Sequence, residues 1–242
     1  MPVTHERGYL IPAIGDEYVA CAERLRDSIL RHHPDAHITI VTESMLPHGN
    51  QGGYANDWQM FAVSPYRQTI KLEADMIAAG PIDHWWTLFE HRDVVISQGC
   101  RTFYDEKSTS RFYRKIFDAN SLVDVYNAIT YWRLSSTAKE FFETVRNIFE
   151  NWESYKKLLK YPEETPSTDV VYAVAAQLMG PELVTLPEGY GPSIVHMKRY
   201  HQPTHTNDWT QELVWEQTDA NLKIQTIAQW GLFHYHVKDW QA

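Results

Sequence analysis

Two carboxylates, Glu73 and Asp75, close the apolar run Thr69-Ile-Lys-Leu-Glu-Ala-Asp-Met76. Side chains at i and i+2 leave a strand on the same side. A strand ending this way delivers both acids to one spot. That suits a divalent metal that must also grip phosphates, because it offers hard oxygen ligands and leaves positions open. The alternative is a strand-to-loop exit with two solvated acids, and the surroundings must separate the two.

Four further features carry polar chemistry. The segment Phe233-His-Tyr-His-Val-Lys-Asp-Trp240 places His234, His236 and Lys238 at one parity, so an extended chain puts them on one face. A neutral imidazole there can complete a metal site and a lysine can neutralise a diphosphate. A second His-x-Lys, His196-Met-Lys198, repeats the pattern. Asn127 lies in an otherwise apolar strand, where asparagine is disfavoured, and needs a polar partner. Asp169 follows Ser167-Thr168 at a helix start, where an acid serves the helix dipole, positions a hydroxyl or acts as a base. Arg111-Phe-Tyr113-Arg114-Lys115 interleaves cations with aromatics, a pattern suited either to a phosphate-bearing, stacked acceptor or to a solvated loop.

The elements that must position these residues follow from periodicity. Tyr9 to Ile14 reads as a strand, Tyr18 to His33 as an amphipathic helix stopped by Pro34, and His37 to Thr42 as a second strand. Strand–helix–strand implies a right-handed crossover and a parallel sheet. No G-x-G-x-x-G follows the first strand, which excludes the dinucleotide fingerprint. Thr69 to Leu72, Asp93 to Ser97, Val123 to Tyr131, Ile194 to Lys198 and Leu232 to Lys238 read as further strands. Ile82 to Phe89, Thr137 to Leu159 and Thr168 to Leu178 read as helices, with Ser167 or Thr168 capping the last. Ser44 to Tyr54 is a glycine-containing loop, Asp57 to Ala62 is ambiguous, and Thr102 to Asn120 has no clean period.

At 242 residues, with 43% hydrophobic and 22% charged residues, the chain is globular in composition. A net charge of -9 disfavours non-specific nucleic-acid binding over the whole surface but leaves room for a local basic groove. Much of the content of 9 Trp, 14 Tyr and 9 Phe must be core, but clustered exposed aromatics also stack on sugars and bases. Cys21 and Cys100 are isolated, which fits a reduced, cytoplasmic setting. No apolar run approaches the roughly 18 residues of a membrane span, and Met-Pro-Val-Thr-His-Glu-Arg lacks the apolar stretch of a signal peptide.

In their order along the chain these features resemble the GT-A class of nucleotide-sugar glycosyltransferases, particularly the glycogenin-like and lipopolysaccharide galactosyltransferase-like branch. There an Asp-x-Asp binds manganese and the nucleotide diphosphate; Glu73-Ala-Asp75 occupies that place with Glu first. The family's Asn-Ala-Gly strand is matched by Asn127-Ala128-Ile129, without the glycine, and its Asp-Gln-Asp by Ser167-Thr168-Asp169. Its closing His-Tyr/Phe-x-Gly-x-x-Lys-Pro-Trp resembles His234-Tyr-His-Val-Lys238-Asp-Trp240, shortened and without Gly or Pro, so either His234 or His236 can be the ligand. The runs Gln68–Met76, Asp83–Trp86, Arg92–Ser97 and Asp124–Ala128 also resemble, almost word for word, proteins encoded by tailed bacteriophages.

The resemblance implies an α/β, Rossmann-like GT-A fold over 1–242 with a central mixed, mainly parallel sheet flanked by helices. Residues 1–100 would form the nucleotide-sugar half and 101–242 the acceptor half. It implies Mn²⁺ or Mg²⁺ held by Asp75, Glu73 and His234 or His236, and a UDP-sugar donor contacted by Ala13, Ile14, Tyr18, Lys71 and Lys238. Asp169 and Asn127 would face the donor sugar or acceptor, with Asp169 as base if transfer inverts. Arg111, Tyr113, Arg114, His196 and Lys198 would contact the acceptor, with Lys115 and Arg199 nearby. Phage sugar transferases often act on hydroxymethylated pyrimidines in DNA, and Trp85, Trp86, Tyr113 and Trp132 could then line a pocket for a flipped base. A saccharide or protein acceptor, a phosphohydrolase, a carbohydrate-binding protein and a nucleic-acid module are the competing expectations.

Overall fold

The computed structural model describes residues 3–110, 113–187, 189–192, 194–218 and 221–240. Its strands in chain order are β1 (His5–Pro12), β2 (Ile38–Val41), β3 (Tyr66–Leu72), β4 (Met76–Ala78), β5 (Val94–Gln98), β6 (Cys100–Arg101) and β7 (Lys107–Ser108). They continue with β8 (Val125–Arg133), β9 (Ile194–His196), β10 (Trp215–Gln217), β11 (Leu222–Ile224), β12 (Ile227–Ala228) and β13 (Leu232–His234).

The central sheet has the order β2-β1-β3-β8-β5. β1 runs parallel to both β2 and β3, while β8 runs antiparallel to β3 and β5. One reversed strand among four parallel ones is the mixed, mainly parallel sheet expected. A second sheet, β4-β13-β9-β6-β7, is also mixed, and β10-β11-β12 form a small antiparallel meander.

Alternation along β1 explains the layering. Tyr9 and Ile11 point into a core shared with Cys21, Ala22, Leu25 and Ile29 of the Asp16–His32 helix. Leu10 points into the opposite core, shared with Phe141, Phe142 and Val145 of the Ser136–Glu150 helix and with the Thr168–Met179 helix. Burying each such Leu or Phe stabilises the fold by about 1.5–3 kcal/mol. Ser135 caps the first of these helices by accepting from the Ala138 amide at 3.1 Å. Ser167 caps the second by accepting from the Asp169 amide at 3.2 Å.

The structure departs from the sequence expectations in five places. Thr137 to Leu159 is two helices, Ser136–Glu150 and Trp152–Leu159, parted at Asn151. Thr102 to Asn120 contains β7 and the short Arg114–Ala119 helix. The ambiguous Asp57 segment is a 3₁₀ turn, Gly53–Gln59, running into the Met60–Val63 helix. β4 and the meander, too short for periodicity to register, were not expected. Finally, β13 ends at His234 rather than running to Lys238. His236 has φ 60°, so the chain turns there and the shared face of His234, His236 and Lys238 is lost. Among the described residues, no helix is long and apolar enough to cross a membrane, and Cys21 and Cys100 are buried and form no disulfide.

Candidate metal and donor site

Glu73, Ala74 and Asp75 bridge β3 of the central sheet and β4 of the second sheet. The Glu73 amide donates to the Ala128 carbonyl of β8 at 3.2 Å, and the Asp75 carbonyl accepts from the Tyr235 amide at 3.1 Å. The acidic pair is thus stitched to one sheet at its first residue and to the other at its last. In the second sheet, His234 lies in register with Met76 of β4 on one side and His196 of β9 on the other. That register carries the end of β13 to the carboxylates.

The contacts are close. His234 Nε2 lies 2.9 Å from Asp75 Oδ1, and His234 Nδ1 lies 3.4 Å from Glu73 Oε2. His236 Nδ1 lies 3.5 Å from Asp75 Oδ2. Glu73, Asp75 and His234 each offer one ligand atom within 4.8 Å of the others, as do His196, His234 and His236. His234 belongs to both sets. Of the two histidines expected as alternatives, His234 faces both acids, whereas His236 approaches Asp75.

Charge is tuned by burial and by these neighbours. Burial raises the Glu73 carboxyl to about 7, against the opposing pull of His234. Burial also acts to raise Asp75, but its charge interaction and hydrogen bond with His234 prevail and leave it below the usual carboxylate range. For His234 burial acts to lower the imidazole; Asp75 and Glu73 outweigh it and the net shift is upward. Burial and the neighbouring imidazoles push His196 and His236 well down, which keeps both neutral. Lys71 acts on Glu73 and Lys198 on Asp75 as nearby positive charges. Burial would lower Lys198, but Tyr200, Glu73, Tyr54 and Asp169 lie within electrostatic reach and raise it.

Beneath the pair, on the opposite face of β8, runs a buried polar network. Asp57 accepts from Lys71 Nζ at 2.6 Å, from Asn127 Nδ2 at 3.3 Å and from the Tyr172 hydroxyl. Asn127 Oδ1 accepts from Thr130 Oγ1 at 2.6 Å. The pairing of β5 with β8 shifts register between Ile96 and Gln98, an irregularity that leaves backbone groups of β8 outside the ladder. Asp169 Oδ1 takes the Asn127 amide at 2.8 Å, and its Oδ2 accepts from the Tyr113 hydroxyl. Ser97 donates to the Tyr126 carbonyl and accepts from the Ile129 amide at 3.3 Å.

The other expected contacts are placed as follows. Lys71 is 2% exposed and held by Asp57, so it supports the site from below instead of reaching a ligand. Ala13 is buried, with its amide on the Val41 carbonyl. Ile14 is half-buried against the core on the Ser136–Glu150 side. Lys238 lies over the Tyr18 ring at 3.9 Å and pairs with Glu17 at 3.5 Å. It thus lies on Tyr18 and Glu17, whereas Lys198 is within electrostatic reach of Glu73. Tyr113 is buried on Asp169 and His196 is buried among imidazoles, so neither presents a surface to an acceptor. Arg114 pairs with Asp118 and Asp124. Arg111 lies outside the described residues. Trp85, Trp86 and Trp132 are core side chains, which removes them as walls of a base pocket. Asp57 and Tyr126 were missed in the sequence. Asp57 stood in an ambiguous segment, and Tyr126 was visible beside Asn127 in Asp124-Val-Tyr126-Asn127-Ala128 but carried no signal of its own.

No family model and no curated protein matches the chain. Among solved structures it is similar to the glycosyltransferase GlyE of Streptococcus pneumoniae TIGR4, with TM-score 0.47 and 12% identity over 77% of this chain and 46% of that one. It is similar to mouse xyloside xylosyltransferase 1, apo form, with TM-score 0.47 and 11% identity over 76% and 85% of the two chains. It is also similar to galactosyltransferase LgtC in complex with donor and acceptor sugar analogs, with TM-score 0.43 and 12% identity over 69% and 70%. The chain thus spans about half the length of the GlyE structure. Likeness this distant assigns no chemistry, and what the site can do follows from its side chains.

Proposed function

We propose that the protein is a metal-dependent glycosyltransferase of GT-A type, one catalytic unit over 1–242, taking a sugar from a UDP-sugar to an acceptor hydroxyl. The observation that carries this reading is the convergence of Glu73, Asp75 and His234 at the seam between the two sheets. Two carboxylates and one imidazole fit Mn²⁺ or Mg²⁺ and leave coordination positions for diphosphate oxygens. Bound there, the ion supplies Lewis-acid stabilisation to the departing diphosphate.

The chain's own residues do the rest. His234 holds Asp75 by hydrogen bond, fixing the carboxylate that is charged at neutral pH. Lys198 adds positive charge where negative charge grows on the leaving group. Tyr18 and Lys238, past the end of β1, flank the nucleotide, where open α/β sheets take their ligands. Asp169 keeps β8 and Tyr113 in place, so that the Asn127 strand presents a fixed floor to the sugar.

For the acceptor, the resemblance to tailed-phage proteins points to a hydroxymethylated pyrimidine in DNA. A specific observation favours a saccharide instead: Tyr54 and Tyr200, 61% and 44% exposed, lie in electrostatic reach of Lys198, while the tryptophans proposed for a flipped base are core. Exposed aromatic faces stack on sugar rings.

Calorimetry with UDP, with and without Mn²⁺, tests the donor site. Binding of UDP that requires Mn²⁺ and disappears in Asp75→Asn is the expected result. UDP affinity indifferent to both changes would overturn it. Nucleoside mass spectrometry of DNA from cells with and without the protein, alongside a glycan array, separates the two acceptors.

A further inference from the structure

His196, His234 and His236 come together from two parts of the chain, the end of β9 and the segment that closes β13. His196 and His234 end neighbouring parallel strands in register. His236 is folded back onto them by a residue conformation, φ 60°, that non-glycine residues adopt at a cost of order 1–3 kcal/mol. The result is tight: His236 Nε2 lies 2.7 Å from His196 Nδ1, and the His234 and His236 rings stack with centroids 3.7 Å apart. The Tyr126 hydroxyl bonds His196 and reaches His234 Nδ1 at 3.0 Å, so it orients two of the three rings. His201 packs edge-on against His196 and is itself held by Ser108 at 2.7 Å. Oriented imidazoles backed by hydrogen-bonding partners are the arrangement of a metal site with its supporting shell.

The donor set differs from that of the carboxylate pair. Mn²⁺ and Mg²⁺ favour oxygen, whereas imidazole suits Zn²⁺ and its neighbours, which also bind nitrogen more tightly by the Irving–Williams order. Zinc–nitrogen bonds of about 2.0–2.1 Å in tetrahedral geometry put nitrogens roughly 3.4 Å apart. The three ligand atoms already lie within 4.8 Å of one another, so small rotations close the set.

We propose that His196, His234 and His236 form an imidazole-only site for a transition ion of the Zn²⁺ class, and that its occupancy excludes an ion from the Glu73–Asp75 set because both require His234. Zn²⁺ then acts as a competitor of Mn²⁺, whatever nucleotide the protein takes. The competitive consequence rests on the function proposed above, but the site does not.

The test uses the intact protein without nucleotide. Co²⁺ is titrated and followed by visible absorption, and Zn²⁺ and Mn²⁺ are measured by competition with a chromophoric chelator. The variants are His196→Asn, His236→Asn and Glu73→Gln, each checked for a native unfolding transition. The expected result is an intense, tetrahedral Co²⁺ spectrum and one ion per chain, with Zn²⁺ displacing Mn²⁺. Both histidine variants should weaken Zn²⁺ by roughly 100-fold or more, the upper end of what losing a supporting partner alone costs. Glu73→Gln should leave Zn²⁺ within about tenfold, the low end of that same range. Should the buried His196 variant fail to fold, His236, at 15% side-chain exposure, decides the matter. Simultaneous binding of Zn²⁺ and Mn²⁺, or Zn²⁺ affinity unchanged in a folded histidine variant, would overturn the proposal. Failure of Mn²⁺-dependent UDP binding leaves it standing, so the two readings fail separately.

Discussion

Nε2 of His234 sits 2.9 Å from Oδ1 of Asp75 although the two residues are 159 positions apart in the chain. The contact is set by backbone pairing, since His234 is in register with Met76, the residue after Asp75. Backbone pairing thus delivers the imidazole to the carboxylate, and rotation of its side chain is what shares it between the acids and the neighbouring imidazoles.

Asp75 should matter more than Glu73 for any ion-dependent ligand. His234 Nε2 and the depressed carboxyl of Asp75 make it the anion present at neutral pH, whereas Glu73 is only partly ionised there. Asp75→Asn is expected to lower Mn²⁺-dependent UDP affinity by about 100-fold, and Glu73→Gln by about tenfold, a difference of roughly 1.4 kcal/mol. Calorimetry at pH 7 measures both. Equal losses, or a larger loss at Glu73, would contradict the assignment.

Glu73 also predicts a pH dependence in the ion-free protein. Its folded value, about 7, lies above the ordinary 4.5, so the folded state holds the proton more tightly than the unfolded one. That contribution is fully present below 4.5 and is lost as pH rises through about 7. His234, raised above 6.5, loses its contribution in the same direction. Asp75 does the opposite: it stabilises above 3.8 and loses this as pH falls through its depressed value. Melting curves in chelator should thus show Glu73→Gln equal to the parent near pH 4 and higher melting near pH 8. Parallel curves across that range would show that Glu73 is not perturbed.

The network under the site should be structural. Lys71 is buried on Asp57, and Asp57→Ala leaves its ammonium without that partner. Breaking a buried pair from one side costs about 3–5 kcal/mol. Urea unfolding is expected to show a loss of that size for Asp57→Ala and a smaller one for the double variant Asp57→Ala/Lys71→Met. A double variant no better than the single would mean that Tyr172 and Asn127, and not Lys71, hold Asp57 in place.

Gly8 marks a close approach within the central sheet. A Cβ there would overlap the ring of Tyr66, whose hydroxyl is bonded to Thr39 Oγ1 at 2.7 Å. Gly8→Ala should cost about 1–3 kcal/mol, the range for overpacking. Tyr66→Leu in the same background should recover part of it. Thermal unfolding of the single and double variants checks this, and a neutral Gly8→Ala would show the ring is free to move.

The sequence exposed those parts of the fold whose signals are periodic. The apolar runs of β1 and β8 and the helical stripe of Phe141, Phe142, Val145 and Ile148 are legible because each extends over several residues. Asn127 was legible as a buried polar group needing a partner, and its side chain meets Asp57 and Thr130. The partner itself, Asp57, was not legible, because it comes from a 3₁₀ turn with no period. The His236 turn hid for the same reason in reverse: a run of alternating residues looks extended until one of them takes a positive φ. The sequence repeats one His-x-Lys pattern at Lys198 and Lys238 and assigns the diphosphate to Lys238; the pairing of Lys238 with Tyr18 and Glu17, and the reach of Lys198 to Glu73, separate them in space.

The position of β13 between β4 and β9 has a kinetic corollary. Neither neighbour can complete its hydrogen bonding until Leu232–His234 has been synthesised, although β4 emerges about 150 residues earlier, so the closing step is strongly non-local and slow by nature. Until then Asp75 lacks His234 and the three imidazoles are apart. The two proposed ion sites are therefore completed only when β13 pairs, and a chain clipped before Leu232, however much of the central sheet it has formed, lacks the His234 that both sets share.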